Sequence, residues 1–520
     1  MCRRTPTSKV WRACAKASAE GINGSFRVNR VISMPVNGAR IHPSMELHIS
    51  LQGSKGLAEQ LYQQLREGID SGRLAAGTQL PPTRLLAEQL GVSRKTVAEA
   101  YSRLTYDNLL SGKVGKGTFI TPASTRLAPA GPAIPLASAP TLAKWRSRSN
   151  LLADLAPSTL RYDFIGGASS KAQFPFDDWR RCNQYALRQI RRGSARYAAH
   201  QGLPELREAI ARHIAFARGV RCHSSDVLVC NGAQQALDLI ARILIEPGCR
   251  VAMEDPGYTP ARQLFLSQGA QLQYVPVDDQ GLCVEQIAEG TRLIYVTPSH
   301  QFPLGMPMSL ARRQALLERA AALGAIIIED DYDSEFRYEG RPTDSLQSMD
   351  RHGLVAYVGT FSKTLLPELR LGYAIVPEAL REAICVAKQL TDWHTPTLNQ
   401  WALARFISEG ALLKHTRRVH EVYAARRERI LQRLQGDLAP WFEVIPATAG
   451  YHLSALTKGG LEVEFLINMA RKVEVGLYSL APFYAQAPVR SGLLLGFGAI
   501  ELLDIDPALD RVRDTLQTLG

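Results

Sequence analysis

Lys363 closes a short apolar run, Val358, Gly359, Thr360, Phe361 and Ser362, and Arg370 follows seven positions later. A lysine so placed does chemistry when its amine condenses with an aldehyde to form a Schiff base, and the condensation is productive only if the rest of the aldehyde is held. For an aldehyde carried on a phosphorylated pyridine, the needs are donors for the phosphate, a carboxylate for the protonated ring nitrogen and an aromatic face for the ring. Thr360, Ser362 and Arg370 are phosphate donors near the lysine. Gly232, Ala233 and Gln234 add more, because they join the apolar run 226–230 to the helical pattern AQQALDLIARIL, where free helix N–H groups attract an anion. Asp330, at the exit of the run 325–331, is the ring-nitrogen carboxylate; Tyr332 is placed to contact a phenolic oxygen, and Tyr258, in EDPGY, to stack on the ring.

A second chemistry lies nearer the start. Thr83 to Leu90 reads as a short helix with Leu86, Ala87 and Leu90 inward, Gly91 as its left-handed stop, and Ser93 as the cap of a helix burying Val97, Tyr101 and Leu104. Helix, glycine turn and capped helix form a helix-turn-helix, whose second helix enters the major groove and needs donors at its start. Those donors are Ser93, Arg94, Lys95 and Thr96. Arg84 is expected at the sugar-phosphate backbone, as are Lys113 and Lys116 on a wing formed by two short strands.

These groups need two different scaffolds. Leu57, Leu61, Leu65 and Ile69 recur every four residues and open a compact helical unit over 45–121. Residues 122–160 contain Pro122, Pro129, Pro132, Pro135, Pro140 and Pro157 among Ala and Ser and read as an extended, semi-rigid linker. From 161 to 520, helical patterns alternate with β-rich runs at 226–230, 250–255, 292–298, 325–331, 355–362 and 371–376, the signature of an α/β unit with a mostly parallel, two-side-covered sheet. The formal charge of +12 is uneven: +7 over 1–44, +2 over 45–121, +3 over 122–160 and none over 161–520, so an anionic partner is expected at the first third. The basic stretch 1–44 reads as a disordered extension, with Met34 and Met45 as alternative starts. The eight cysteines contain no C-x-x-C pair, and no metal site is expected. The sequence lacks a run of ~20 apolar residues or a signal-peptide core, so a cytoplasmic chain without membrane contact is expected.

The stretch LPPTRLLAEQLGVSRKTVAEAYSRL resembles the GntR family of winged-helix regulators, which implies binding of double-stranded operator DNA as a dimer. The cofactor-type residues, in their order, resemble the fold-type I aminotransferases over nearly all of 161–520. With YVTPSHQFPLGMPMSLARRQALL and IIIEDDYDSEFRYEGRP, the whole chain resembles the MocR/GabR subfamily of GntR regulators. That resemblance implies pyridoxal 5′-phosphate as cofactor, with Lys363 as its aldimine lysine, Asp330 (or Asp331) at the ring nitrogen, Tyr332 near the ring hydroxyl, and Thr360, Ser362, Arg370, Ala233 and Gln234 around the phosphate. It also places Tyr197 where such dimers reach into the neighbouring subunit, though a half-buried loop tyrosine fits the residue equally well.

Two departures bear on activity. Working aminotransferases carry an Asn-Pro-x-Gly turn whose Asn contacts the ring hydroxyl; here the turn is Phe302, Pro303, Leu304, Gly305. The arginine expected for a substrate carboxylate is replaced in GLLLGFG by Leu495, with Arg490 as a possible substitute. The expectation is a homodimeric regulator that senses the cofactor, or a small amine or amino acid reacting with it. The alternatives are a working aminotransferase with a vestigial DNA-binding unit, or a DNA-bound structural protein that no longer holds cofactor.

Overall fold

A computed structural model describes residues 28–33, 46–53, 55–113, 115–121, 138–148, 160–333, 335–340, 344–486 and 490–519. The chain divides into two compact units, Met1–Ala153 and Asp154–Gly520. Among the described residues no helix is long and apolar enough to cross a membrane.

In the first unit, helix Leu57–Asp70 buries Leu61, Tyr62 and Leu65 against helices Thr83–Leu90 and Arg94–Tyr106. Gly91 takes φ 65°, so the chain reverses there without a Cβ clash, and Ser93 Oγ accepts the Thr96 amide at 3.1 Å as the cap of the next helix. Strands Gln79–Leu80, Gly117–Ile120 and Leu110–Lys113 form the antiparallel wing, whose Leu80, Leu110 and Ile120 close the same core. Two segments depart from the sequence reading. Val28–Ser33, within the stretch read as a disordered extension, is a strand paired antiparallel with Glu46–Leu51. Ala139–Arg146, within the stretch read as extended linker, is a helix; Pro140 sits in its first turn, where a missing N–H costs no helical bond. The rest of 1–44 and of 122–160 lies outside the described residues.

The second unit is built on an eight-stranded sheet. Its order is Gly281–Leu282, Gln271–Asp278, Arg250–Asp255, Thr291–Val296, Ile326–Asp331, Val355–Thr360, Gly372–Ile375 and Val227–Cys230. The run from Gln271–Asp278 to Val355–Thr360 is parallel, while Gly372–Ile375 pairs antiparallel with both of its neighbours. Helices cover both faces, which is why strands such as Val227–Cys230 and Val355–Thr360 are buried along their whole length. A second, antiparallel sheet follows, in the order Phe442–Val444, His452–Thr457, Gly492–Gly496, Tyr478–Ser479. Helices Ala411–Gln435, Val463–Lys472 and Leu502–Leu519 pack on it around Phe164, Tyr423, Leu466 and Phe497. The main sheet thus delivers Asp330 and Thr360 at strand carboxyl ends and Ala233 at a helix start, the edge where open α/β sheets hold ligands.

Candidate functional site

At that edge lies a cavity of about 490 Å³. Of the cofactor-type residues singled out from the sequence, all but Gly232 line it: Tyr258, Ala233, Gln234, Asp330, Tyr332, Thr360 and Ser362, with Lys363 and Arg370 on the connection between two strands. Lys363 Nζ donates to the Gly167 carbonyl at 2.7 Å and lies 5.9 Å from the Tyr451 ring centre. Burial lowers its pKa, opposed by the carboxylates of Asp333 and Asp330, so the neutral, nucleophilic amine is favoured over that of a free lysine. Asp330 Oδ2 accepts the Tyr295 hydroxyl at 2.7 Å, while Oδ1 is buried with no hydrogen-bond partner among the described residues. Burial pushes this carboxyl up to about 7, against the pull of the Tyr295 bond. Asp331 points elsewhere: its Oδ2 takes Arg218 Nε at 2.7 Å and the Tyr357 hydroxyl at 2.5 Å.

The phosphate side is made by close backbone approach. Gly232 has φ 82°, and a Cβ there would stand 2.9 Å from Arg370 Nη2. Gly372 is as tight, its Cβ falling 2.7 Å from the Gly232 carbonyl carbon. Arg370, itself at φ 51°, donates to the Asn231 carbonyl at 3.0 Å, and the Ser362 amide donates to Thr360 Oγ1 at 3.1 Å. Behind the cup, Asn231 Nδ2 donates to Asp392 at 2.7 Å, and the fully buried Lys388 ammonium bonds the same carboxylate, Gln235 and Thr395. The residues fit a phosphorylated pyridine aldehyde. The orphaned Asp330 Oδ1 asks for a ring N–H, the Gly232 approach leaves room for phosphate oxygens, and the amine of Lys363 opens on the space between.

Other residues of the site have no signal of their own in the sequence. His300 Nδ1 lies 2.8 Å from Asp333 Oδ2, and the His300 and His452 rings are 4.4 Å apart, all buried; His452 Nε2 sits 3.1 Å from the Pro303 carbonyl. Their ligand atoms lie within 4.8 Å of one another. Burial pushes both histidines down to about 3 and Asp333 up to about 8, with His452 and Lys363 pulling Asp333 the other way. Tyr332 Oη donates to the His300 carbonyl at 2.9 Å, which fixes the orientation of the phenol on the cavity wall. Phe302, where an Asn was expected, packs edge-on to Tyr258 and Phe483 at 5.6 and 4.9 Å, its turn held by the Thr297 hydroxyl. Leu495 is corrected: strand alternation turns it into the core, and Leu494 is the cavity-facing residue. Arg490 is exposed and does not line the cavity. Tyr197 lies outside it, 73% exposed, with its ring 4.6 Å from Trp393.

In the first unit, Ser93, Arg94 and Lys95 are exposed at the start of helix Arg94–Tyr106, and Thr96, half-buried, shares a 2.8 Å hydroxyl contact with Ser93. Arg84, Lys113 and Lys116 are exposed, Lys113 lying 5.3 Å from the Phe119 ring centre. None of these five basic side chains forms an ion pair with a described residue, as phosphate-binding cations require.

The molecule is thus a winged helix-turn-helix joined in one chain to a fold-type I aminotransferase scaffold. Residues 57–120 match the model for bacterial regulatory proteins of the gntR family, and residues 166–491 match aminotransferase class I and II. The probable rhizopine catabolism regulatory protein MocR of Rhizobium meliloti is 36% identical over 88% of this chain and 94% of its own. The regulator TauR of Rhodobacter capsulatus is 36% identical over 74% and 81%. Among solved structures, Pyrococcus horikoshii kynurenine aminotransferase, in complex with PMP, superposes with a TM-score of 0.65 at 26% identity, covering 76% of this chain and 98% of its own. The chain belongs to the MocR/GabR subfamily of GntR-type transcriptional regulators, those whose large unit is an aminotransferase class I and II domain.

Proposed function

We propose that this DNA-binding regulator holds pyridoxal 5′-phosphate on Lys363, and that loading, or arrival of an amine at the loaded site, changes how paired N-terminal units of a homodimer grip operator DNA. When bound, the cofactor supplies an electrophilic carbon and an electron-withdrawing ring. Lys363 would hold that carbon through its amine, which burial favours in the neutral form more than in a free lysine, against the opposing pull of Asp333 and Asp330. Asp330 holds the ring nitrogen's proton through the oxygen that otherwise has no partner, the single observation that carries the cofactor reading. Tyr332 faces the ring oxygen, Tyr258 the ring face, and Arg370, Thr360, Ser362, Ala233 and Gln234 the phosphate. Ser93, Arg94, Lys95 and Thr96 meet base edges, and Arg84, Lys113 and Lys116 meet phosphates.

Phe302 and Leu494 favour sensing over turnover, since neither can hydrogen-bond a ring oxygen or a substrate carboxylate. A working aminotransferase is the second reading, favoured by Lys363 and Asp330 facing one cavity. The test is a binding titration on DNA upstream of the protein's own gene, with and without pyridoxal phosphate, at two salt concentrations, for the native protein and Lys363→Ala. A competitor-resistant complex that responds to the cofactor only when Lys363 is present supports the regulator. Cofactor-blind binding abolished by modest salt, with steady conversion of an amino donor and a keto acid, would move the enzyme reading ahead.

A further inference from the structure

This inference rests on the cofactor reading above and concerns what reacts with the loaded site. The charged side chains lining the cavity are Asp330, Lys363 and Arg370, and the cofactor's nitrogen, aldehyde carbon and phosphate take all three. The rest of the wall is apolar at Ile165, Phe302, Phe483 and Leu494, and its polar groups, Thr297, Tyr451, Tyr478 and a His452 that burial pushes down to about 3, bring no cation. Leu494 lines the same cavity as Lys363, and the two flank one short segment: Lys363 Nζ donates to the Gly167 carbonyl at 2.7 Å, and a Cβ on the adjoining Gly166 would fall 2.4 Å from Leu494 Cδ2. Behind Tyr478, its hydroxyl donates to Asp163 at 2.8 Å, so the nearest charge on that side is negative. Arg262 does not line the wall; its guanidinium is engaged with the Pro482 and Phe483 carbonyls. A carboxylate on the carbon bearing the amine would meet methyl groups, aromatic edges and neutral polar groups, with no cation among the described lining residues left to pair it, which burial penalises heavily.

We propose that the ligand is an apolar primary amine, alkyl or arylalkyl, with no carboxylate on the carbon that carries nitrogen, and that Leu494 sets this preference. In the exchange, the incoming nitrogen forms a double bond to the cofactor's aldehyde carbon as the Lys363 Nζ bond to that carbon breaks. The two protons of the incoming amine pass to Lys363 Nζ, and nothing is oxidised or reduced.

The test is a visible-absorbance titration of the cofactor-loaded full chain with 2-phenylethylamine against L-phenylalanine and isoamylamine against L-leucine, each corrected to its neutral-amine concentration. The carboxylate-free member of both pairs is expected to half-saturate at a concentration at least tenfold lower. Leu494→Arg is expected to shift both ratios at least tenfold toward the amino acid. Equal or tighter binding of the amino acids, no spectral response to any of the four, or ratios unmoved in a folded Leu494→Arg protein would overturn the proposal; if that variant precipitates, the native ratios decide. A loaded band that is absent from the start, or that survives in Lys363→Ala, would instead overturn the cofactor reading and this inference with it.

Discussion

Asp330→Asn removes one negative charge while keeping the shape of the side chain and an oxygen for the Tyr295 hydroxyl. Its consequences for the loaded and empty protein have opposite signs. In the loaded protein the protonated ring nitrogen loses its buried counter-charge; breaking a buried pair from one side costs about 3 kcal/mol or more, so the dissociation constant should rise about 150-fold. In the empty protein the carboxyl is raised from 3.8 to about 7, because burial penalises its charged form. The folded state then holds the proton more tightly than the unfolded chain. Ionisation therefore costs stability, nothing at low pH, increasingly as pH climbs from 3.8 to about 7, and a constant amount above. That rise corresponds to about 4 kcal/mol at most, and roughly half of it retained would raise the melting temperature of the large unit at pH 8 by about 3 °C. Cofactor titration by absorbance and thermal melts of the stripped protein at pH 5 and pH 8 measure both arms. An affinity loss under about fivefold, or an empty variant less stable than native at pH 8, would refute the assignment of Asp330 to the ring nitrogen.

Lys363→Met should stabilise the empty protein at neutral pH, since burial lowers this lysine's pKa; the gain should vanish as pH passes the ordinary lysine value of 10.5, readable in melts across that range. Lys113→Ala and Lys116→Ala together should weaken operator binding about equally across sequences and flatten the slope of log affinity against log salt by roughly 2, whereas Arg94→Ala should relax discrimination against single-base changes in the operator. Gly91→Ala forces a Cβ into φ 65° and should cost about 1 kcal/mol, seen as about fivefold lower hydrogen-exchange protection over 83–106 in the full chain.

Local chemistry was legible in the sequence. Gly91 and Ser93 mark a helix end and a helix start because each acts on its own backbone, and both stand where they were expected. The main-sheet strands on which the site is built were readable as apolar runs because both of their faces are covered. What could not be read depends on pairings between distant residues. The choice between Asp330 and Asp331 is made by Tyr295 and by Arg218, 35 and 113 positions away. The shift from Leu495 to Leu494 is a question of strand register, invisible in three successive leucines until His452–Thr457 pairs beside them. The His300 and His452 contact joins a bend to the start of strand His452–Thr457, two segments with no shared periodicity. Val28–Ser33 was hidden for a different reason: its partner, Glu46–Leu51, lies across a stretch that reads as plain basic chain.

The cavity draws its walls from segments that are far apart in the chain, around Gly166, Ala233, Asp330, Lys363 and Leu494. A molecule in contact with all of them would act as a strut across the large unit. At a free concentration a hundred times its dissociation constant, it adds about 2.7 kcal/mol to the work of opening the unit, and so leaves about a hundredfold fewer open copies for proteases. Vitamin supply would then set how long each copy of the regulator survives, giving the cell a slow memory of past abundance alongside the immediate response on DNA.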